Sequence, residues 1–421
     1  MGNSQIVVIG AGASGMMSAI AAAKKGASVV ILEKMERPGK KIRITGKGRC
    51  NITNTKPWEE FSTHLHPNKK FLKQVFFSFS NSDTIDFFES IGVKCLVERG
   101  DRVFPESGSA TTIVEALKVQ MDSLGIEQHY NSPVLSLERV NNKIERVITR
   151  TRVYTPKAVI LATGGLSYPL TGSSGEGYEF AKNVGHSVVE CWPSLTALMP
   201  KNYSSDLEGL TLKNIELSLY VGKDMVQQER GDIDFTNNGI EGSLGFRVSR
   251  KAVKALINGN KCSLTINLKP AVTNSNLESR IIKEIKQLSG NSTTALLRKF
   301  MPKQLIGTFI KWNSSPESLS SIEDYYKFAL ELRENLKRCK LEIVSYTSYE
   351  RAVITAGGIS LNEIYPKTMR SRVVDNLFLS GEIIDLDGDT GGYNLQIAFS
   401  TGFKAGEEAA AYLILNSKTG V

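Results

Sequence analysis

Residues 5–33 restrict the N-terminal part of this 421-residue chain to one kind of unit. Gln5 to Ile9 is an apolar run of β type. Gly10-Ala11-Gly12-Ala13-Ser14-Gly15 fits G-x-G-x-x-G, Met16 to Lys25 is an Ala-rich helical stretch, and Ser28 to Leu32 is a second strand ending at Glu33. A glycine turn alone recurs in many folds, but strand, turn, helix, strand and acid in this order define a dinucleotide-binding βαβ unit. Gly10 permits the tight turn, Gly12 lets backbone N–H groups approach a pyrophosphate, and Gly15 lets the helix lie close to the strand. The helix N-terminus opened by Ala13 and Ser14 offers unpaired donors and positive dipole to phosphate. Glu33 stands where a carboxylate can accept from both ribose hydroxyls. An acid there disfavours a 2′-phosphate, so the expected ligand is FAD or NAD rather than NADP. Val7 to Ala23 is almost wholly apolar, yet it does not read as a secretory signal. Met1 to Gln5 carries no basic side chain, and the glycine turn interrupts the run. Met1-Gly2 does not read as a myristoylation start either, because Ile6 replaces the expected Ser or Thr.

The length predicts two or three domains. A hydrophobic fraction of 41% with 23% charged residues is that of a soluble globular protein. No apolar stretch approaches a membrane span without Gly, Ser or charge inside it. The five cysteines (Cys50, Cys95, Cys191, Cys262, Cys339) are scattered and form no C-x-x-C pair. Structural zinc and a disulfide framework are therefore not expected, no metal ligands are assigned, and a cytoplasmic, reduced compartment follows. The net charge of +9 comes from 52 basic and 43 acidic residues. Lys24-Lys25, Lys40-Lys41 and Lys69-Lys70 are pairs rather than runs, with acids interleaved, so a solvated basic surface is expected over a nucleic-acid interface.

Along the chain the dinucleotide unit is interrupted and then resumes. Residues 58–91 read as helices, with Phe71, Leu72, Val75, Phe76 and Phe79 at helical spacing as core. Arg99-Gly100-Asp101 is the turn of a hairpin ending at Arg102-Val103-Phe104-Pro105. Thr111 to Leu124 is a helix stopped by Gly125. Gln128 to Tyr130 and Val134 to Val153 alternate as strands around an Asn141-Asn142 turn, and Ala158 to Leu161 is a buried parallel strand ending in the Ala162-Thr163-Gly164-Gly165 corner. From Pro193 to Tyr346 strand-like runs (216–221, 263–268, 341–346) flank a helical block over about 277–340. We predict an α/β, Rossmann-like, three-layer FAD/NAD(P)-binding domain that is discontinuous (1–192 and 347–421), with an inserted substrate or cap domain (193–346) of β-barrel plus helical type. In the resumed part, an apolar strand at Asn376 to Ser380 leads to the Gly381-Glu382 corner. A final helix follows from about Asn394 to Leu415. Its N-terminus would supply a second set of donors, suited to the ribityl chain and pyrimidine edge of a flavin.

Three blocks together resemble a family of bacterial flavoproteins with a two-dinucleotide-binding-domain-type FAD fold, the HI0933-like or BaiN-like group. The first is Gly10 to Gly15 with Glu33, Gly39-Lys40-Lys41 and Gly46-Lys47-Gly48-Arg49-Cys50-Asn51-Ile52-Thr53-Asn54. The second is Ala162-Thr163-Gly164-Gly165 with Ser167-Tyr168-Pro169 and Thr171 to Tyr178. The third is Thr355-Ala356-Gly357-Gly358-Ile359, Pro366-Lys367-Thr368-Met369, Gly381-Glu382 and Asp387-Gly388-Asp389-Thr390-Gly391-Gly392-Tyr393-Asn394-Leu395-Gln396. The resemblance spans nearly the whole chain and is weakest across the insert. Lys47 replaces the usual second glycine of the Gly-Arg-Cys loop.

The resemblance implies FAD extended along the unit. Adenosine would lie near Glu33 and Lys34, with pyrophosphate on Gly12 to Gly15 and backbone contacts to adenine from Val134. It places the flavin ring between the Arg49-Cys50-Asn51 loop and the helix starting at Asn394. There the N–H groups of Asn394, Leu395 and Gln396 would stabilise the negative edge of the reduced ring. Lys41 or Arg49 would add charge. Ala162, Thr163, Gly164, Gly381 and Glu382 complete the expected cofactor contacts.

Catalytic residues are harder to assign, because a flavin performs hydride transfer itself and the protein sets orientation, potential and access. No C-x-x-x-x-C pair is present, so disulfide-reductase chemistry is excluded. Arg49, Cys50, Tyr168 and Tyr393 are the catalytic candidates. For Cys50 and both tyrosines, packing is the competing role. The four histidines (His64, His66, His129, His186) form no constellation in sequence, and His186 reads as structural. Gly172 to Gly177 lacks the preceding strand and distal acid of a second dinucleotide site, so NADH or NADPH would dock transiently. Some family members are described as aminoacetone oxidases and others as reductases of bile-acid intermediates. The expected activity is therefore FAD-dependent hydride transfer with a small organic molecule, as an NAD(P)H-linked reductase. The alternatives are an O₂-dependent aminoacetone-type amine oxidase and, in another class, a flavin-bound RNA-binding or RNA-modifying protein.

Overall fold

The structure is a computed structural model that describes residues 5–287, 293–313 and 322–418. Met1 and Gly2, considered above as a leader or acylation start, lie outside the described residues. The chain divides into two compact units, residues 1–192 with 353–421, and residues 193–352.

The first unit is built on a five-stranded parallel sheet. Its strands are β1 (Ile6–Ile9), β2 (Val29–Leu32), β3 (Glu127–His129), β4 (Ala158–Leu161) and β5 (Leu377–Leu379), in the order β5-β4-β1-β2-β3. Every residue of β1, β2, β4 and β5 is buried, as parallel strands covered on both faces must be. Helix α1 (Ala13–Lys24) follows β1, α2 (Lys40–Ile44) follows β2, and α3 (Tyr393–Lys418) follows β5. Helices α1 and α3 cross at backbone contact. A Cβ on Gly402 would lie 2.4 Å from the Ser14 carbonyl oxygen, and one on Gly406 would lie 2.2 Å from that of Ser18. An antiparallel sheet over residues 134–154 adds Leu137, Ile144 and Val147 to the same core. The side-chain amide of Asn376 pairs with both backbone groups of Ile144, at 2.7 and 3.0 Å, so this buried polar group is satisfied.

The second unit contains a closed six-stranded barrel. Its order is Leu198–Pro200, Gly239–Glu241, Asp224–Thr236, Thr211–Val221, Cys262–Asn267 and Cys339–Tyr346, the last pairing back to the first. Two large elements of this barrel unit lie outside the runs picked out in the sequence. The strand Asp224–Thr236 fully buries only Ile233 and Phe235 and lacks apolar alternation before them. The helix Gly242–Ile257 buries only a narrow stripe that includes Leu244, Val248, Ala252 and Val253. Of the expected helical block, Asn274–Gln287, Thr293–Leu297, Lys303–Asn313 and Ile322–Lys337 are helical. Its residues 288–292 and 314–321 lie outside the described residues.

Candidate functional site

A cavity of about 1340 Å³, its open mouth included, runs through the first unit. Its walls pass from Glu33, Lys34 and Val134, along Gly10 to Ser14, to Ala162-Thr163-Gly164, Lys41, Gly381-Glu382 and Asn394-Leu395. These stretches come together because each follows the C-terminal end of a sheet strand or starts a helix beside one, where open α/β sheets form their crevices.

At one end, Glu33 is held by backbone donors. Its Oε2 accepts from Ala11 N–H at 2.7 Å and its Oε1 from Met35 N–H at 2.9 Å. Burial pushes the Glu33 carboxyl up from its ordinary range, and the two N–H groups oppose that rise. Lys34, also in the wall, is tied to Ser174 and Glu176. Beside Glu33, α1 begins at Gly12, whose position as N-cap brings no side-chain cap to the first turn. A Cβ on Gly12 would meet nothing within 4 Å, so the cavity is open directly over this helix N-terminus. Gly15 lies beneath the wall: a Cβ there would fall 1.9 Å from the Gly10 carbonyl oxygen. The Ser14 hydroxyl donates to Ser380 Oγ at 2.6 Å, which ties α1 to the end of β5.

Further along the wall is a charged network not expected as a unit. Lys41 Nζ donates to Ser167 Oγ and to Glu382 Oε2, both at 2.6 Å. Ser167 Oγ donates to Glu382 Oε1, which also accepts from Thr355 N–H at 2.9 Å. Thr355 Oγ1 accepts from Leu166 N–H at 2.8 Å and Ser167 N–H at 3.1 Å. Gly165 makes room for this network, since a Cβ there would lie 2.5 Å from Thr355 Oγ1. Ser167 and Thr355 stood in the glycine-rich strings quoted above, but nothing in their local sequence marked them as partners of Lys41 and Glu382.

At the other end, α3 begins after Gly391 and Gly392, both at positive φ. The Asn394 amide is clamped on Gly388, accepting from its N–H and donating to its carbonyl, each at 2.7 Å. Asn394 and Leu395 line the cavity, whereas Gln396 does not. Its N–H donates to the Gly392 carbonyl at 3.2 Å. Its buried side chain accepts from Thr53 and donates to Phe79 O and Ser400 Oγ.

The four catalytic candidates lie off the cavity wall. Cys50 is fully buried at φ +60, and burial pushes its thiol up to about 12. A thiol that stays protonated is neither nucleophile nor redox partner at neutral pH. Arg49 pairs with Glu98 and lies over the Phe104 ring at 4.4 Å. Asn51 sits beside it with its buried Oδ1 lacking a hydrogen-bond partner. The Tyr393 ring is buried against Phe61 at 4.8 Å and stacked on His64 at 4.4 Å. Tyr168 precedes Pro169 at φ +54 and turns the chain away from the glycine corner.

The histidines correct a second expectation, because two of them do form a constellation. Asp389 binds His64 Nδ1 at 2.8 Å and His66 Nε2 at 3.2 Å. Burial works against its charge, yet the bonds from His64 and His66 hold the carboxyl down to about 2. The clasp fixes the segment that leads into α3. His186 is buried between Glu363 at 2.9 Å and Ser371 at 2.8 Å, in a structural role. Among the described residues no group of three or more His, Cys, Asp and Glu is arranged to hold a metal, and no helix is long and apolar enough to cross a membrane.

The HI0933-like protein Rossmann domain model matches residues 4–408. The chain is 30% identical over 408 residues to a 3-dehydro-bile acid delta(4,6)-reductase of Clostridium scindens, covering 96% of this chain and 99% of that one. It is 29% identical over 409 residues to a ribosomal RNA dihydrouridine synthase of Haemophilus influenzae, covering 95% and 97%. Among solved structures, a 3-ketosteroid-delta4-(5alpha)-dehydrogenase from Rhodococcus jostii shares the fold with a TM-score of 0.53 at 14% identity, covering 96% of each chain. With a Rossmann cavity open over a helix N-terminus and a family match across nearly its whole length, the chain belongs to the HI0933-like family of FAD-dependent oxidoreductases.

Proposed function

We propose that the protein is an NAD(P)H-linked reductase of a carbon–carbon double bond activated by a neighbouring carbonyl. The observation that supports its FAD part is the cavity joining Glu33 to two helix N-termini, a length and donor pattern that fit an extended FAD. Glu33 keeps a lone pair on each oxygen for the ribose hydroxyls. Ala13 and Ser14 present the α1 N-terminus to the pyrophosphate. Asn394 and Leu395 present the α3 N-terminus to the edge of the ring that becomes negative on reduction. Lys41, anchored by Glu382 and Ser167, adds a fixed positive charge between them. Bound FAD supplies hydride acceptance and donation. In the overall reaction NAD(P)H is oxidised, hydride reaches the β-carbon of the acceptor, and a proton reaches its α-carbon.

The two relatives described above bear names that describe saturation of a double bond conjugated to a carbonyl, one in a steroid and one in a uracil ring. The steroid-like acceptor is the leading substrate class. A uridine in RNA is the second reading, favoured by the H. influenzae relative and the net charge of +9. Oxygen-dependent oxidation of aminoacetone has no comparable support. We assign a cytoplasmic location on the strength of five free cysteines.

Anaerobic stopped-flow mixing of the yellow protein with NADH and then NADPH tests the reading. We expect one nicotinamide to bleach the flavin, and a 4-en-3-one steroid or a uridine-containing RNA to restore its colour. Protein purified without flavin, or flavin reduced by aminoacetone but by neither nicotinamide, would sink the proposal.

A further inference from the structure

The string Pro366-Lys367-Thr368-Met369 has no part in the dinucleotide cavity. It forms a closed loop in which Tyr365 N–H donates to Arg370 O at 2.8 Å and Met369 N–H donates to Tyr365 O at 2.8 Å. Bridges from Ile364 to Ser371 and from Arg370 to Phe378 fasten the loop to the edge of the sheet. Met369 is fully buried at φ +59, an uncommon conformation for a side-chain-bearing residue that the surroundings must hold in place. The loop is therefore rigid.

It presents three cations that, among the described residues, have no carboxylate paired to them. Arg370 and Arg372 lie 5.5 and 4.0 Å from the Tyr365 ring centroid, and Arg372 Nε donates to Ile364 O at 3.3 Å. With Lys367 they line a recess whose other walls include Phe378, Tyr412 and Gln74. Among the described residues none of these three cations pairs with a carboxylate. The nearby acids are engaged elsewhere: Glu363 on His186, and Glu408 in the recess wall on Lys404 at 2.7 Å. Asp375 lies outside the wall. Two guanidiniums gathered on one tyrosine repel each other unless an anion joins them. Their planar forks match the oxygens of a phosphate better than a point charge would.

We propose that this recess binds a phosphate-bearing ligand, with the phosphate held by Arg370, Arg372 and Lys367. It is separate from the pyrophosphate site. About 15 Å of helix axis lies between Ala398 in the dinucleotide cavity and Glu408 in the recess. The inference is independent of the redox reading. The ligand is a free nucleotide or the backbone of a nucleic-acid strand, which share this chemistry.

The FAD-loaded full chain is titrated with ADP by calorimetry and with a labelled single-stranded oligouridylate by fluorescence polarisation. The variants are Arg370→Gln/Arg372→Gln, a charge-keeping Arg370→Lys/Arg372→Lys pair, and Lys94→Gln/Lys201→Gln, which removes two exposed charges elsewhere. We expect at least one probe to bind the parent and the Lys94/Lys201 variant alike, and to bind the Arg→Gln pair roughly tenfold more weakly or worse. The Arg→Lys pair should fall between them, with flavin content unchanged throughout. Binding of ADP assigns a free nucleotide, and binding of the oligouridylate alone assigns a strand. If neither probe binds, or both Arg variants bind like the parent, the proposal is overturned.

Discussion

The glycine turn at Gly10 to Gly15 and the loop at Gly46 to Asn51 both stand out in the sequence, yet the fold uses them differently. The first opens a helix N-terminus into the cavity, with space where the Gly12 side chain would be. In the second only Cys50 packs in the core, at 0% exposure, while Gly46, Lys47 and Arg49 stay exposed and Arg49 pairs with Glu98 over the Phe104 ring. A distinctive string can mark a demanding backbone path as readily as a reactive surface. Lys47 and Cys50, both at positive φ, show how demanding this one is.

The first turn is most sensitive at Gly15. Gly15→Ala puts a methyl 1.9 Å from the Gly10 carbonyl, where only backbone movement can relieve it. We expect a loss of about 3 kcal/mol in stability and protein that no longer retains FAD. Undiminished flavin content and an unchanged melting midpoint would show that the turn is not rigid. Glu33→Ala should weaken FAD by about 1.5–3 kcal/mol through loss of charge-assisted hydrogen bonds. Equilibrium titration of the apoprotein reads this directly, and unchanged affinity would remove Glu33 as the ribose ligand.

The Asp389 clasp supports the α3 end of the same cavity. Its folded carboxyl is depressed to about 2 from an ordinary 3.8. The stability it contributes is therefore complete above the unfolded value and is lost as pH falls through the folded one. Asp389→Asn should cost about 2 kcal/mol at neutral pH, and the gap from the parent should close between about pH 4 and pH 2. Urea midpoints across that range decide it, and a pH-independent gap would contradict the linkage. The smallest effect is expected at the loop. Cys50→Ala should cost about 1 kcal/mol from lost packing while turnover per bound flavin stays unchanged. Loss of turnover with flavin retained would return the chemistry to the Arg49-Cys50-Asn51 loop.

Much of the first unit could be read in advance, because its signals are local. Buried strands such as Val29–Leu32 and Ala158–Leu161 are continuous apolar runs between glycine corners, and the hairpin and helix over residues 95–123 carry their own turn and stop signals. The barrel was harder. Asp224–Thr236 is held along its length by Thr211–Val221 and at residues 234–236 also by Gly239–Glu241, yet it fully buries only Ile233 and Phe235, so its polar sequence hides its conformation. At the site, Glu33 was legible because strand length alone sets its distance from Ala11. The roles of Ser167, Thr355 and the two histidines were not.

By itself, the sequence determined the βαβ unit with its acid, the resumption of that unit after an insert, and the helix that closes the chain. In each, geometry follows from spacing within some thirty residues, over which backbone dihedrals and apolar period leave few alternatives. Only the tertiary structure decided that Lys41 would meet Ser167 and Glu382, 126 and 341 positions away, and that His64 would meet Asp389 across 325. Such pairings depend on how strands and helices pack, and no local pattern encodes which distant side chains the packing brings within a hydrogen bond of each other.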